Sequence, residues 1–276
     1  MKSPTSPPQA ADSGRRLPLS AGDLERRLAA LGPGSPLMVH SSMRRLGPVE
    51  GGTGTVVAAL RKVLGSQGTL VVPAFTPENS DSSTPHLNAV RGMSEAEVDA
   101  FKAAMRPFDP VSTPTLSMGA LAETVRRTSG ALRSRHPQTS FAAVGPQASA
   151  IISGHKPDCH LGEASPLARL YELDAQVLLL GVGFEVLTAF HLAEYRVATP
   201  PTRHYHCVVR TEGGERAWWR YLDVALDDSD FARIGADFER DGGVIHRGRV
   251  GSADCRLLSL RRAVDYAEEW IPNNRG

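Results

Sequence analysis

The sequence predicts an α/β fold: a central, mostly parallel sheet flanked by helices, with an added antiparallel hairpin region. Three observations predict it. Residues 36–75 run as strand, glycine-bearing loop, apolar-periodic helix and second buried strand, the order of a βαβ unit whose two strands pair in parallel. Gln176-Val177-Leu178-Leu179-Leu180-Gly181 is apolar on both faces, as a central strand covered by helices on each side is. Tyr205 to Arg210 and Ala217 to Val224 flank Glu212-Gly213-Gly214, which is a hairpin signal.

Taken in order, residues 1–18 hold four prolines among small polar residues, too little apolar area to offset the entropy of ordering them. They are expected to be a disordered tail ahead of a single domain over 19–276. Ser20 with Asp23 forms a capping-box pattern, and Leu24, Leu28 and Leu31 follow at helical spacing up to Gly32. Pro36 to His40 reads as a buried strand. Gly51-Gly52 leads into a helix from Thr53 to Leu64, and Thr69 to Phe75 is the second strand. Residues 76–93 are polar and too long for an ordinary connection, which suits a functional or mobile segment such as a substrate lid. Helices are expected at about 95–105, opened by Ser94 with Glu97, at 118–128, and at 166–173 behind Ser165-Pro166. A further strand is expected at about 141–145.

Composition narrows the function. With 276 residues, 41% hydrophobic and 22% charged, the chain buries a sizeable core, so disordered, collagenous and coiled-coil classes are excluded. Lys+Arg 31 against Asp+Glu 30 leaves a net charge of +1, without the basic excess that nucleic-acid binding shows. The longest apolar run, Val177 to Phe190, is broken by Glu185, and the N-terminal stretch lacks a signal-peptide core. Cys159, Cys207 and Cys255 form no CxxC pair. A cytoplasmic protein binding neither nucleic acid nor membrane is expected.

Three constellations can carry chemistry. Thr188 to Tyr195 begins shortly after the central strand, with Thr188 as a candidate cap. In it His191 and Glu194 stand three apart on one helical face, and a neutral imidazole with a carboxylate one turn away has the makings of a general base. Ligand sites of open α/β sheets lie beyond strand carboxyl ends, which is where this segment falls. His40-Ser41-Ser42, with Arg44, Arg45 and the Gly51-Gly52-Thr53 helix start, offers hydroxyls and a helix N-terminus to an anionic phosphate, although it matches neither the P-loop nor the GxGxxG pattern. Finally, residues 126–157 hold Arg126, Arg127, Arg133, Arg135 and Lys156 and no acid, while 221–241 hold seven acids against Arg233 and Arg240. Such patches suit an anionic cofactor and a cationic substrate.

Over about residues 20–270 the chain resembles the aminoglycoside 3-N-acetyltransferases of the antibiotic N-acetyltransferase superfamily, whose fold is unrelated to that of GCN5-type acetyltransferases. The resemblance is carried, in order and spacing, by Val39-His40-Ser41-Ser42, Gly68 to Pro73, Ser117-Met118-Gly119, Arg133 to Pro137 with Ser140 to Gly145, Ser165-Pro166-Leu167, and Leu179 to Gly183 leading to His191-Leu192-Ala193-Glu194. It implies acetyl-CoA as cosubstrate and no metal, His191 as general base and Glu194 as its acidic companion. It also makes the HSS loop part of the coenzyme site; with the phosphate-suited helix start this gives His40, Ser41, Ser42, Arg44, Gly52, Thr53, Ser117 and Met118 as the expected coenzyme contacts. An aminoglycoside is a polycation, so carboxylates should line its pocket; Asp81, Asp99, Glu185 and Asp223 are candidates, with Asp227 and Asp228. No cysteine stands in a Cys/His/Asp framework, which disfavours a covalent acetyl-cysteine. Two other readings stand beside this one. A metal-dependent hydrolase would take His191, Glu194 and His204 or His206 as ligands. A non-catalytic binding protein would hold the same ligands without turnover.

Overall fold

The computed structural model describes residues 17–34 and 36–275. All of the expected tail except Leu17 and Pro18 therefore lies outside the described residues. From Leu19 the chain is tied down, its N–H donating to the Pro48 carbonyl at 2.9 Å.

The chain begins with α1 (Ala21–Leu31), closed by the Ser20/Asp23 capping box, then β1 (Leu37–Ser41), the short α2 (Met43–Leu46), α3 (Gly52–Leu64) and β2 (Leu70–Pro73). α4 (Thr84–Ala89) and α5 (Glu95–Ala104) follow, the second opened by the Ser94/Glu97 capping box. Next come α6 (Gly119–Arg127), β3 (Leu132–Arg133), β4 (Phe141–Val144), α7 (Ala148–Ile152), α8 (Pro166–Glu172), β5 (Gln176–Leu180) and α9 (Phe190–Arg196). β6 (Thr202–Arg210) and β7 (Arg216–Val224) form a separate two-stranded antiparallel hairpin. α10 (Phe231–Arg240), β8 (Val244–Val250), β9 (Ala253–Ser259) and α11 (Leu260–Asn274) complete the chain.

Seven strands form one sheet in the order β3-β4-β2-β1-β5-β9-β8. β1 pairs in parallel with β2 and β5, so the βαβ unit forms as expected. The flanking pairings are antiparallel, yet five of the seven strands run in one direction, because only β4 and β9 oppose β1. Period-two alternation sends successive residues to opposite layers. Met38, Val71, Val177 and Leu179 pack with α7 to α11, whereas Leu37, Val39, Leu178 and Leu180 pack with α1, α3 and α6. The same alternation places His40 on the face covered by α9.

The polar segment 76–93 is built from a 3₁₀ turn, Pro77–Asn79, and α4, and it is laid against the hairpin. Asn79 donates to the Val208 carbonyl at 3.3 Å, and the His206 N–H donates to the Ser82 hydroxyl at 3.3 Å. Asn79 and Ser80 are buried, so their side chains serve in place of an apolar core. No helix among the described residues is long and apolar enough to cross a membrane.

Candidate active site

A cavity of about 300 Å³ opens beyond the carboxyl ends of the three parallel strands. β1 contributes His40 and Ser41, β2 contributes Pro73, and the turn after β5 contributes Val182 and Glu185. Ser117 and Met118, at the start of α6, close one side; Thr188, His191, Asp228 and Phe231 close the other. Of the residues read from the sequence, the structure thus brings together His40, Ser41, Ser117, Met118, Glu185 and His191, drawn from positions up to 151 apart in the chain.

At the centre is the pair on α9. His191 Nδ1 lies 2.7 Å from Glu194 Oε2, and the Glu194 side chain is 3% exposed. The second carboxylate oxygen accepts from the Asp227 N–H at 3.1 Å and from Arg275 Nη1 at 2.5 Å. A carboxylate only accepts, so Nδ1 carries the hydrogen, and in the neutral ring the lone pair is the one on Nε2. The Phe231 ring sits 4.6 Å from the imidazole and fixes its plane. Thr188 does not cap α9 with its side chain. The helix starts from Ala189, already helical, and it is the Thr188 carbonyl that accepts the His191 N–H, at 3.1 Å.

His40 is buried, and its Nε2 has no hydrogen-bond partner among the described residues. Burial pushes its pKa down to about 4, so near neutral pH it meets a ligand as an uncharged ring. Ser117 donates to Glu78. Other residues of the expected coenzyme site stand outside this cavity. Ser42 caps α2 by accepting from the Arg45 N–H at 3.3 Å, Arg44 is exposed on that helix, and Gly52 opens α3 at a positive φ of 64°. The Thr53 and Thr124 hydroxyls share a 2.7 Å hydrogen bond between α3 and α6.

Of the candidate substrate carboxylates, Glu185 alone of the four principal ones lines the cavity, joined there by Asp228. Asp81 is paired with Lys102 at 2.9 Å and with His206 at 3.5 Å, and Asp99 is exposed on α5. Asp223 is the centre of a buried network. It accepts from the His160 N–H, His160 Nδ1 and the Tyr195 hydroxyl, each at 2.7 Å, and Tyr221 and Gln138 extend the network. His136 stacks between His155 and His160, with ring centroids 4.8 and 4.6 Å away. Burial lowers the pKa of all three rings, that of His155 to about 4, and near Asp223 it outweighs the attraction of the carboxylate for a charged His160.

The charge segregation seen in the sequence is in part consumed internally. Arg133 is half-buried and donates to the carbonyls of Ala74 and Thr113, and Arg126 is bound to Glu123. On the acidic side Asp237 pairs with Arg240, and Glu239 with Arg247 and Arg256. The alternative metal set is not assembled: among the described residues no three His, Cys, Asp or Glu side chains stand close enough to hold an ion, and His206 is turned to Asp81. Burial raises the thiol pKa of Cys207 to about 12 and of Cys255 to about 11.

Sequence reasoning missed Phe231, Asp230 and Arg275. Phe231 opens α10, whose Phe231, Ile234, Gly235 and Phe238 follow helical spacing, so that helix had a legible signal. Arg275 is 81 positions from Glu194, and no local pattern announces the contact.

Fold and site together define an α/β enzyme, with ionisable groups gathered at a cavity beyond its parallel strand ends. The chain belongs to the aminoglycoside 3-N-acetyltransferase family, whose family model matches residues 38–272. YokD of Bacillus subtilis, an SPbeta prophage-derived aminoglycoside N(3')-acetyltransferase-like protein, is 36% identical over 260 residues, spanning 93% of this chain and 94% of YokD. The YokD crystal structure gives a TM-score of 0.87 over 94% of this chain and 96% of that one. Aminoglycoside N(3)-acetyltransferase VII of Streptomyces paromomycinus is 36% identical over 280 residues, covering 94% and 93% of the two chains. The binary complex of AAC-IIIb with CoASH, 28% identical, gives a TM-score of 0.79 over 92% of this chain and 97% of that one.

Proposed function

We propose that the protein transfers the acetyl group of acetyl-CoA to the 3-amine of the 2-deoxystreptamine ring of aminoglycosides, in one direct step with His191 as general base. The observation that carries this reading is the 2.7 Å contact between His191 Nδ1 and a buried Glu194 carboxylate at a cavity beyond the strand ends. With Nδ1 engaged, Nε2 takes a proton from the ammonium-forming nitrogen as that nitrogen bonds to the thioester carbon. The C–S bond then breaks, and the coenzyme leaves as thiolate and collects a proton. Direct transfer is favoured over an acetyl-cysteine because the thiols with the highest pKa values are buried and stay protonated near neutral pH.

The family relation supports the donor, since AAC-IIIb is solved with CoASH. His40, Ser41, Ser117 and Met118 would hold the reactive end of the coenzyme, with Ser42, Arg44, Gly52 and Thr53 at the adjoining helix starts. Residues 19–276 would act as one domain, in the cytoplasm that three free thiols suit. The test is thiol release from acetyl-CoA by purified protein with a panel of 2-deoxystreptamine aminoglycosides, followed by mapping of the acetylated position. Release with acetylation at the 3-amine is expected. Folded protein that binds coenzyme A and stays silent across the panel would refute the assignment of substrate.

Glu185 is one of two exposed carboxylates that line the cavity, with Asp228, and its Oε1 also accepts the Gly183 N–H at 3.1 Å. Glu185→Gln is expected to raise KM for the aminoglycoside roughly three- to tenfold, a solvent-screened value for one lost charge pair, while kcat stays within about twofold. Steady-state kinetics at two ionic strengths check this; an unchanged KM removes Glu185 from substrate binding.

A further inference from the structure

We infer that Arg275 is a positioning residue for the His191–Glu194 pair, and that its guanidinium also sets the cavity wall formed by residues 227–231. The inference rests on His191 being the base. Glu194 Oε2 faces His191 while Oε1 faces Arg275, so the carboxylate is gripped from both sides and cannot turn away from the imidazole. The same planar fork reaches Asp230 through Nε at 2.7 Å and Nη2 at 2.5 Å, and the Asp227 carbonyl through Nη2 at 2.7 Å. Asp228 and Phe231, in and beside this gripped segment, line the cavity, and Phe231 packs on the His191 ring. One side chain following α11 therefore joins α9 to the segment before α10. A guanidinium does this where an ammonium does not, because its donors lie in a fixed plane matched to two carboxylates at once. Glu194 and Asp230 together outweigh the single cation, which leaves a net negative charge beside the imidazole.

The test is Arg275→Ala, with His191→Ala and the double variant alongside. Arg275→Ala is expected to lower kcat roughly 10- to 100-fold, the scale of a sub-ångström to ångström misplacement of a catalytic group, with KM for acetyl-CoA within about twofold. Millimolar guanidinium ion should restore part of that kcat and should stimulate neither the parent nor His191→Ala. In the His191→Ala background, removing Arg275 should cost little more. A folded Arg275→Ala with kcat within twofold of the parent overturns the inference, as does a loss confined to KM or to the folded fraction without guanidinium rescue. Should Arg275→Ala fail to fold, Arg275→Lys replaces it: a lysine reaches one carboxylate, so an intermediate kcat is expected and parental kcat overturns the inference. Near-parental turnover in His191→Ala would instead refute the base itself, an outcome read without reference to Arg275.

Discussion

Replacing His191 by alanine is expected to lower turnover roughly a hundredfold or more, the usual scale for loss of a general base. Among the described residues the imidazole is the only ring at the cavity whose Nδ1 is held by a buried carboxylate, and Asp227 and Arg275 continue to satisfy the other carboxylate oxygen when the ring is removed. The fold should therefore survive, at a cost of about 1–3 kcal/mol for the lost charged hydrogen bond. Turnover at saturating acetyl-CoA, measured with the unfolding midpoint of the same preparation, separates the two effects. Near-normal kcat in a folded variant takes His191 out of the mechanism.

Stability is expected to collapse on mild acidification, between about pH 6.5 and 5. His40, His136, His155 and His160 are all at least nine-tenths buried and held neutral by burial, with His40 and His155 pushed down to about 4. In the unfolded chain each titrates near 6.5. Above that pH neither state binds a proton at these rings, and stability is independent of them. Below it the unfolded chain takes up protons that the folded protein refuses, so stability falls as pH falls, until the folded rings themselves titrate. Each ring contributes at most a limiting slope of about 1.4 kcal/mol per pH unit, so His40 and His155 together approach about 3 kcal/mol per unit and His136 and His160 add in the same direction, against a total stability on the order of 5–15 kcal/mol. Asp223 adds a second loss at lower pH. Burial alone would raise its pKa, but the hydrogen bonds from His160 and Tyr195 hold it below the usual value, so its contribution is full above about 3.9 and disappears as pH falls through the folded value. Urea unfolding at pH 7 and 5.5 checks the effect, and His40→Met should flatten the slope by about one proton. Equal midpoints at the two pH values would refute it.

The parts of the molecule that were legible are those where a local pattern and the tertiary fold ask for the same thing. β1, α3, β2 and β5 combine buried apolar runs with glycine punctuation, and the capping boxes at Ser20 and Ser94 mark where helices start. β8 was not legible: four of its seven residues are polar or glycine, four are exposed, and its register slips between Val244 and His246, which breaks the alternation. His191 and Glu194 could be found because both lie on one helical turn. Asp99 and Asp223 could not be placed, since a sequence says that a carboxylate exists and not which way its element faces. Asp223 turns inward because His160 and Tyr195 need an acceptor, a demand set 28 to 63 positions away.

β1 supplies His40 and Ser41, and its two neighbours arrive at very different times. Leu37 pairs with Leu70 on one side and with Gln176 on the other. During synthesis the first partner emerges promptly, while the second is separated by more than half the chain. Closing so long a loop is costly before any contact rewards it, and such non-local pairing slows folding. One edge of β1 therefore waits unpaired, with its apolar side chains uncovered, until β5 has been made. The cavity is among the last features of the nascent chain to exist, and the same interval is when aggregation competes most strongly with folding.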